Sequence, residues 1–323
     1  MKSNTGIHFS FLLALVLGIV GFVALPVCAS EDGADTSIET FPVGPHPWGL
    51  TTDGDNIWVT STSSDNVTKL RASDGTILGT FPAGGPSLYA TFDGANIWVT
   101  HFYVDSTVTK LRASDGALLG TFPVGRAPYG ILFDGTNIWV TNYFDDTVNK
   151  LDPTNGTILG TFYTGFNPYG IAFDGTNIWV TNFEQYTVTA LRARDGTWRG
   201  SINVLLEPTG IFFDGYNIWV ANWGDGSVTQ IDPRTGNKVF TDQVELGSLP
   251  QDFAFDGTHV WVTNSNHNNV VRMKRDGRGR RGYPTGNFPV GIVYDGTSIW
   301  VANYDDNTVT KITLHEAASQ GSP

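Results

Sequence analysis

The side chains with chemical capacity in this chain are amides, aromatics and a few histidines, and they return at nearly fixed intervals. Ser61, His101, Asn142, Asn182, Asn222, Asn264 and Asn303 share one recurring position, and the next residue is often a ring: Phe102, Tyr143, Phe183, Trp223 or Tyr304. A second recurring set runs Trp48, Leu88, Tyr129, Tyr169, Thr209, Gln251 and Val290, preceded closely by His46, Arg126, Asn167 or Glu207. Amides beside flat aromatic faces suit sugars and peptides, which combine apolar faces with hydroxyl or amide groups. The competing use is internal, with asparagines tying down strand ends and rings wedged between neighbouring elements. For any single asparagine the internal use is the expected one, so a ligand role rests on the set as a whole.

Catalytic constellations are sparse. Outside the first 29 residues the histidines are His46, His101, His259, His267 and His315. Zinc needs three or four converging ligands, and the repeat brings only His46 and His101 into neighbouring units. The chain contains no Gly-x-Ser-x-Gly elbow, and its one cysteine is Cys28, so a nucleophile with its base is not in evidence. Asp145-Asp146 and Asp305-Asp306 are paired carboxylates in loop-like sequence, where solvated loop residues are expected before acid/base pairs or calcium ligands.

What must position these residues is a repeat. Trp58, Trp98, Trp139, Trp179, Trp219, Trp261 and Trp300 recur every 39–42 residues inside a shared phrase such as Asn137-Ile138-Trp139-Val140-Thr141-Asn142. Self-similarity at that period indicates one supersecondary unit copied along the chain. In the unit 125–161, Pro128–Phe133 is a short apolar strand and Asp134-Gly135-Thr136-Asn137 is turn chemistry. Ile138–Asn142 alternates with Trp on one face and Ile and Val on the other; Thr147–Leu151 and Thr157–Phe162 supply two further strands. Helical periodicity is absent after the leader. Four antiparallel strands in each of seven units predict an all-β, seven-bladed β-propeller.

The ends fit the same reading. Ser37–Gly44 matches a fourth strand with no first three before it, and the last unit stops after its third strand. The N-terminal strand is therefore predicted to complete the last blade, closing the ring and removing open edges. The chain then divides into a signal peptide (1–29), one propeller domain (30–316) and a C-terminal tail (317–323). Connectivity places the Asp-Gly turns at Asp53, Asp93, Asp134, Asp174, Asp214, Asp256 and Asp295 on one face, read as turn chemistry rather than a cation ring. The opposite, variable face is where binding would be built.

Phe9–Ala24 is apolar, Lys2 precedes it and Val27-Cys28-Ala29 offers small residues for cleavage, which reads as a secretory leader. A retained membrane anchor and lipidation at Cys28 are the rivals. Cleavage leaves no cysteine and no membrane-spanning segment, so the expected product is an exported, periplasmic or extracellular monomer without disulfides. The net charge of −12 argues against nucleic acid and anionic membranes as partners. Against that background Arg272, Lys274, Arg275, Arg278, Arg280 and Arg281 form a basic cluster, read either as a solubilising edge or as a dock for an anionic polymer.

The phrase Tyr-Gly-Ile-x-Phe-Asp-Gly-Thr-Asn-Ile-Trp-Val-Thr-Asn (129–142 and 169–182) resembles the YVTN-repeat β-propellers, related to the NHL-repeat propellers. That resemblance covers essentially the whole chain after the leader and implies an exported interaction or ligand-binding scaffold. The repeat also looks like the virginiamycin B (streptogramin) lyase group, which implies a metal-dependent elimination opening cyclic depsipeptides, with magnesium as cofactor. That group has Glu where this chain has Ser61, His101 or Asn, and its chemistry uses a His with a nearby Glu; here the adjacent pair is His315-Glu316. The leading expectation is a non-catalytic scaffold, without cofactor, that binds a protein, peptide or glycan at its variable face. The residues expected at that mouth are His46, Trp48, His101, Arg126, Tyr129, Asn142, Tyr143, Tyr169, Asn182, Glu207, Asn222, Trp223, Asn303 and Tyr304.

Overall fold

A computed structural model of the chain describes residues 35–102 and 106–315. The expected leader, Cys28 and the tail, including Glu316, lie outside the described residues. The described strands form seven four-stranded antiparallel sheets arranged as the blades of a β-propeller. The blades span 47–82, 90–123, 128–163, 168–203, 208–243, 250–284 and, for the seventh, 289–315 with 35–42. Asp35–Pro42 pairs antiparallel with Thr308–His315, with Asp35 opposite His315 and Pro42 opposite Thr308. The first strand of the chain thus closes the last blade. No helix among the described residues is long and apolar enough to cross a membrane.

The hydrophobic core lies between blades, because the central strands are apolar on both faces. Trp58 packs against Ala90, Ile97, Val99 and Leu111 of the second blade, and Trp139 against Ile178, Val180 and Leu191 of the fourth. Trp300 meets Leu50, Ile57, Val59 and Leu70 of the first blade, closing the circuit. A fourth-strand ring caps most of these indoles, with Phe162 5.7 Å from Trp139 and Phe41 5.6 Å from Trp300. Burying rings of this size supplies much of the stability of a disulfide-free domain.

The tryptophans are also polar anchors. Trp139 Nε1 donates to Asp134 Oδ2 at 2.7 Å, while Asp134 Oδ1 accepts the Thr136 and Asn137 amides at 2.8 and 2.7 Å. The same indole-to-aspartate bond occurs in each blade, from Trp58 with Asp53 to Trp300 with Asp295. One carboxylate therefore shapes the turn with one oxygen and holds the core indole with the other.

Two further devices join neighbouring blades. The first strand slips register between Pro128 and Ile131, which takes the Gly130 amide out of the ladder. Thr141 Oγ1 accepts that amide at 2.8 Å and donates to Tyr169 O of the next blade at 2.9 Å. Thr100 donates likewise to Tyr129 O, Thr181 to Thr209 O and Thr263 to Val290 O. Towards the opposite face, Lys150 Nζ lies 5.2 Å from the Trp139 ring centroid and donates to Ala193 O at 2.8 Å. Lys69, Lys110 and Lys311 make the equivalent reach to Ala113, Pro153 and Ala72. A buried ammonium is tolerated here because carbonyls and a π-face replace its water.

The basic cluster of the sixth blade is partly absorbed the same way. Arg272 donates to the His259 ring and lies over Trp261. Arg275 donates to Asp214 O and stacks between Tyr216 and Phe255, and Arg280 pairs with Asp242.

Candidate functional site at the variable channel mouth

The loops of the variable face are held stiffly. His46, Ala127, Asn167, Glu207 and Phe288 adopt positive φ between 48 and 54° just before the first strands, a conformation costly for residues with a Cβ. Three of them are offset by a clamp from the preceding blade: His46 N donates to Asn307 Oδ1 at 2.8 Å, Asn167 N to Asp146 Oδ1 at 2.9 Å, and Phe288 N to Asn268 Oδ1 at 3.1 Å. Asp146, Asn268 and Asn307 are themselves at positive φ. The face is thus built from interlocked turns, with little freedom to rearrange.

The expected site residues fall into three groups. Asn142, Asn182, Asn222 and Asn303 have no exposed surface. Their amides clasp the third strand of their own blade, as Asn182 Nδ2 does with Thr187 and Thr189 Oγ1, both at 2.9 Å. His101 takes the asparagine position and does the same with Nε2, 2.9 Å from Thr109 Oγ1; it is 2% exposed. These five side chains lie inside blades.

The second group is brought together. Tyr129, Tyr143 and Tyr169 form one cluster with Leu88 and Ala127, against which Trp48, Tyr89, Phe102 and Phe183 pack. Tyr129 and Tyr169 have ring centroids 3.8 Å apart and share a hydroxyl–hydroxyl bond. Burial pushes the Tyr143 phenol up to about 12, with the charges of Glu184 and Glu207 adding to the shift. Trp48 carries the cluster onward to Tyr304, edge-on at 5.6 Å, and His46 stacks on Tyr304 at 4.6 Å. The His46 ring also meets Ser63 Oγ at 2.7 Å.

The third group stands apart from that cluster. Arg126 is largely exposed, pairs with Asp145 and donates to Phe144 O at 2.8 Å. Burial alone would raise the Asp145 carboxyl, but the Arg126 amide, side chain and charge outweigh it and leave it below its ordinary value. Trp223 begins a 3-10 turn, Trp223–Asp225, and its amide donates to Glu207 O at 3.0 Å. The Trp223 Nε1 atom is buried and makes no hydrogen bond among the described residues. His46, His101, Arg126 and Glu207 therefore serve four different local networks.

The sequence reading did not single out the most exposed apolar side chains of this face. Phe144, Tyr163, Phe166, Tyr186, Leu205, Leu206 and Leu246 are all exposed, Leu246 at 94%. They sit on the loops of the third to fifth blades and on the connections that follow, covering roughly half the circuit. Their signal was visible as large apolar residues where turn chemistry is otherwise polar, but loop position hid which of them face solvent.

Among the described residues no group of three or more His, Cys, Asp or Glu side chains is placed to hold a metal ion.

No protein-family model matches the chain, and no curated protein matches it in sequence. Solved structures do match it in shape. Virginiamycin B lyase from Staphylococcus aureus superposes with a TM-score of 0.75 at 19% identity, over 87% of this chain and 100% of that one. A structure described as streptogramin B lyase gives 0.75 at 21% identity, over 87% and 98%. Kuenenia stuttgartiensis hydrazine synthase gives 0.71 at 19%, over 92% and 99%. At these identities the likeness is one of fold: the chain shares the propeller architecture of virginiamycin B lyase.

Proposed function

We propose that the protein is an exported propeller of the YVTN-repeat kind that binds a protein or peptide partner at its variable face without catalysing a reaction. The observation that supports this reading is the set of exposed apolar side chains Phe144, Phe166, Tyr186, Leu205, Leu206 and Leu246 on the loops of one face. Single exposed apolar residues are ordinary, but several large ones on the loops of one face suit an interaction surface. A rigid presenting surface also lowers the ordering cost of association. The aliphatic leucines favour a polypeptide over a sugar, because sugars stack on flat rings rather than on branched side chains. A glycan partner remains the second reading, favoured by the exposed rings of Phe144, Phe166 and Tyr186.

The lyase alternative draws on the fold. A catalytically inactive form of virginiamycin B lyase has been solved with quinupristin at a TM-score of 0.75 and 18% identity. Here the adjacent pair is His315-Glu316, whose glutamate lies outside the described residues, while His46 contacts Tyr304 and Ser63 and His101 contacts Thr109.

The test is selection of binders from a random peptide library on the immobilised protein, with a glycan array in parallel. Selected peptides should carry apolar anchors and lose at least about tenfold in affinity on the triple variant Phe144→Ser, Phe166→Ser, Leu206→Ser. That variant should unfold at the wild-type temperature, since none of the three is buried. Peptides that bind the variant equally would place the interaction elsewhere, and binders found only on the glycan array would transfer the site to sugars.

A further inference from the structure

One position on each first strand decides how open the central channel is. In five blades it is glycine: Gly49, Gly130, Gly170, Gly210 and Gly291. A Cβ there would strike the next first strand, 2.4 Å from Leu88 O at Gly49, 2.5 Å from Tyr169 O at Gly130 and 2.2 Å from Trp48 O at Gly291. The second and sixth blades, on opposite sides of the ring, instead carry Tyr89 and Asp252. Tyr89 lies just before the short first strand of the second blade, Ala90–Phe92. Both side chains keep partial exposure, and the Asp252 charge lies close enough to Tyr89 to act on its phenol.

The surroundings of Asp252 are unusual for a carboxylate. Its Oδ1 accepts the Phe253 amide at 2.8 Å, and the Ile292 amide also reaches it. Among the described residues no lysine, arginine or histidine forms an ion pair with it. Burial pushes its carboxyl up to about 7 despite those two amides. Across the channel, burial lifts the Tyr89 phenol well above its ordinary range, and the facing Asp252 and Tyr169 add to the effect. Beside it, Gln251 is 6% exposed and its Oε1 has no hydrogen-bond partner among the described residues. Gln251 occupies the strand position held by Trp48, Tyr129 and Tyr169 in other blades, the ring-bearing position of the mouth cluster.

A carboxylate held by two backbone amides but by no cationic side chain among the described residues is poised for a cation. A hard metal ion wants six or more oxygen ligands, usually with several charges among them, and this throat offers one carboxylate and one free amide oxygen. Its walls are aromatic, and ring faces attract weakly hydrated organic cations. We propose that the channel throat between Asp252, Gln251 and the rings of Trp48, Tyr89, Tyr129 and Tyr169 is a binding site for a small organic ammonium ion. The carboxylate neutralises the charge, the Gln251 oxygen accepts an N–H when the ammonium carries one, and the rings pack against its carbon substituents. This site is separate from the exposed apolar set and does not depend on it.

The experiment is calorimetric titration of the purified protein at pH 8 with tetramethylammonium chloride, n-butylammonium chloride and, separately, calcium chloride. Saturable binding of one ammonium per chain is expected, with no calcium heat. Asp252→Asn should weaken it at least about tenfold and Tyr89→Leu about fivefold, with unchanged circular dichroism. Asn retains an oxygen for one of the two backbone amides, so Asp252→Asn should fold. Leu118→Ser, on the exposed outer strand of the second blade, should leave the affinity as in the wild type. Absence of saturable ammonium binding, an affinity untouched by Asp252→Asn, or calcium bound in its place would each overturn the proposal.

Discussion

Trp139 and Asp134 are joined by a 2.7 Å hydrogen bond from indole to carboxylate, and that bond couples the surface turn to the core between blades. The turn needs aspartate for its own amides, and the indole needs an acceptor once it is buried. Removing either partner strands the other. Trp139→Phe should destabilise the protein by roughly 2–4 kcal/mol, combining lost ring area with an unsatisfied carboxylate oxygen. Asp134→Ala should cost about 2–3 kcal/mol, since it loses the turn as well as the anchor. Combining the two should cost clearly less than their sum, because both break the same bond. Urea unfolding midpoints of the three variants check this; strict additivity would deny the coupling.

The innermost strands make a sharper demand. Gly130 lies where a Cβ would come within 2.5 Å of Tyr169 O, a backbone atom that cannot swing aside. Gly130→Ala should therefore cost about 3 kcal/mol or more, against roughly 1 kcal/mol or less for an alanine in open space. Thr141→Val, which keeps the shape but removes the hydroxyl serving Gly130 N and Tyr169 O, should cost about 1–3 kcal/mol. Thermal unfolding of both variants measures it, and a Gly130→Ala protein as stable as the wild type would show that the ring can widen.

Much of the architecture was readable because one period governs it. The Trp spacing, the alternation in Ile138–Asn142 and the orphan strand Ser37–Gly44 carry the blade count, the strand order and the closure seen in the pairing of Asp35–Pro42 with Thr308–His315. The mouth was harder to read. Asn182 looks the same in sequence whether it greets a ligand or clasps Thr187, and only the fold puts it at zero exposure. The exposed Phe166 and Leu206 are singular residues in loops, with no repeat to expose their role. The exceptions Tyr89 and Asp252 were written in the sequence as breaks in a glycine column, but their meaning required knowing that the column lines the channel.

Asp252 predicts a pH dependence whose sign can be worked out. Its carboxyl is raised from 3.8 to about 7 in the folded protein by burial. Below about pH 4 it is neutral in both states and costs nothing. As pH rises towards 7 the unfolded chain ionises first, so stability falls, and above about pH 7 the loss levels off at on the order of 2–4 kcal/mol. Acidification from pH 8 to pH 5 should therefore stabilise the wild type relative to Asp252→Asn, which lacks this proton. Urea midpoints of both proteins at the two pH values isolate the group, and parallel shifts would mean that Asp252 ionises normally.

The asparagine clasp can be separated from a binding role by its energetics. Asn182 Nδ2 serves Thr187 and Thr189 while its Oδ1 accepts the Gly165 amide at 2.9 Å, so every polar atom of the side chain is engaged within the protein. Asn182→Ala leaves two hydroxyls and an amide without partners in a site closed to solvent. The expected loss is about 2–3 kcal/mol of stability, with affinity for any ligand of the variable face unchanged once folding is saturated at low temperature. Asn182→His, borrowing the solution used by His101 with Thr109, should recover part of that stability, because the imidazole can bridge the same two strands. Denaturant midpoints of the two variants, read alongside peptide binding at low temperature, distinguish the roles: a variant that folds normally yet loses its ligand would move Asn182 from the clasp to the binding face.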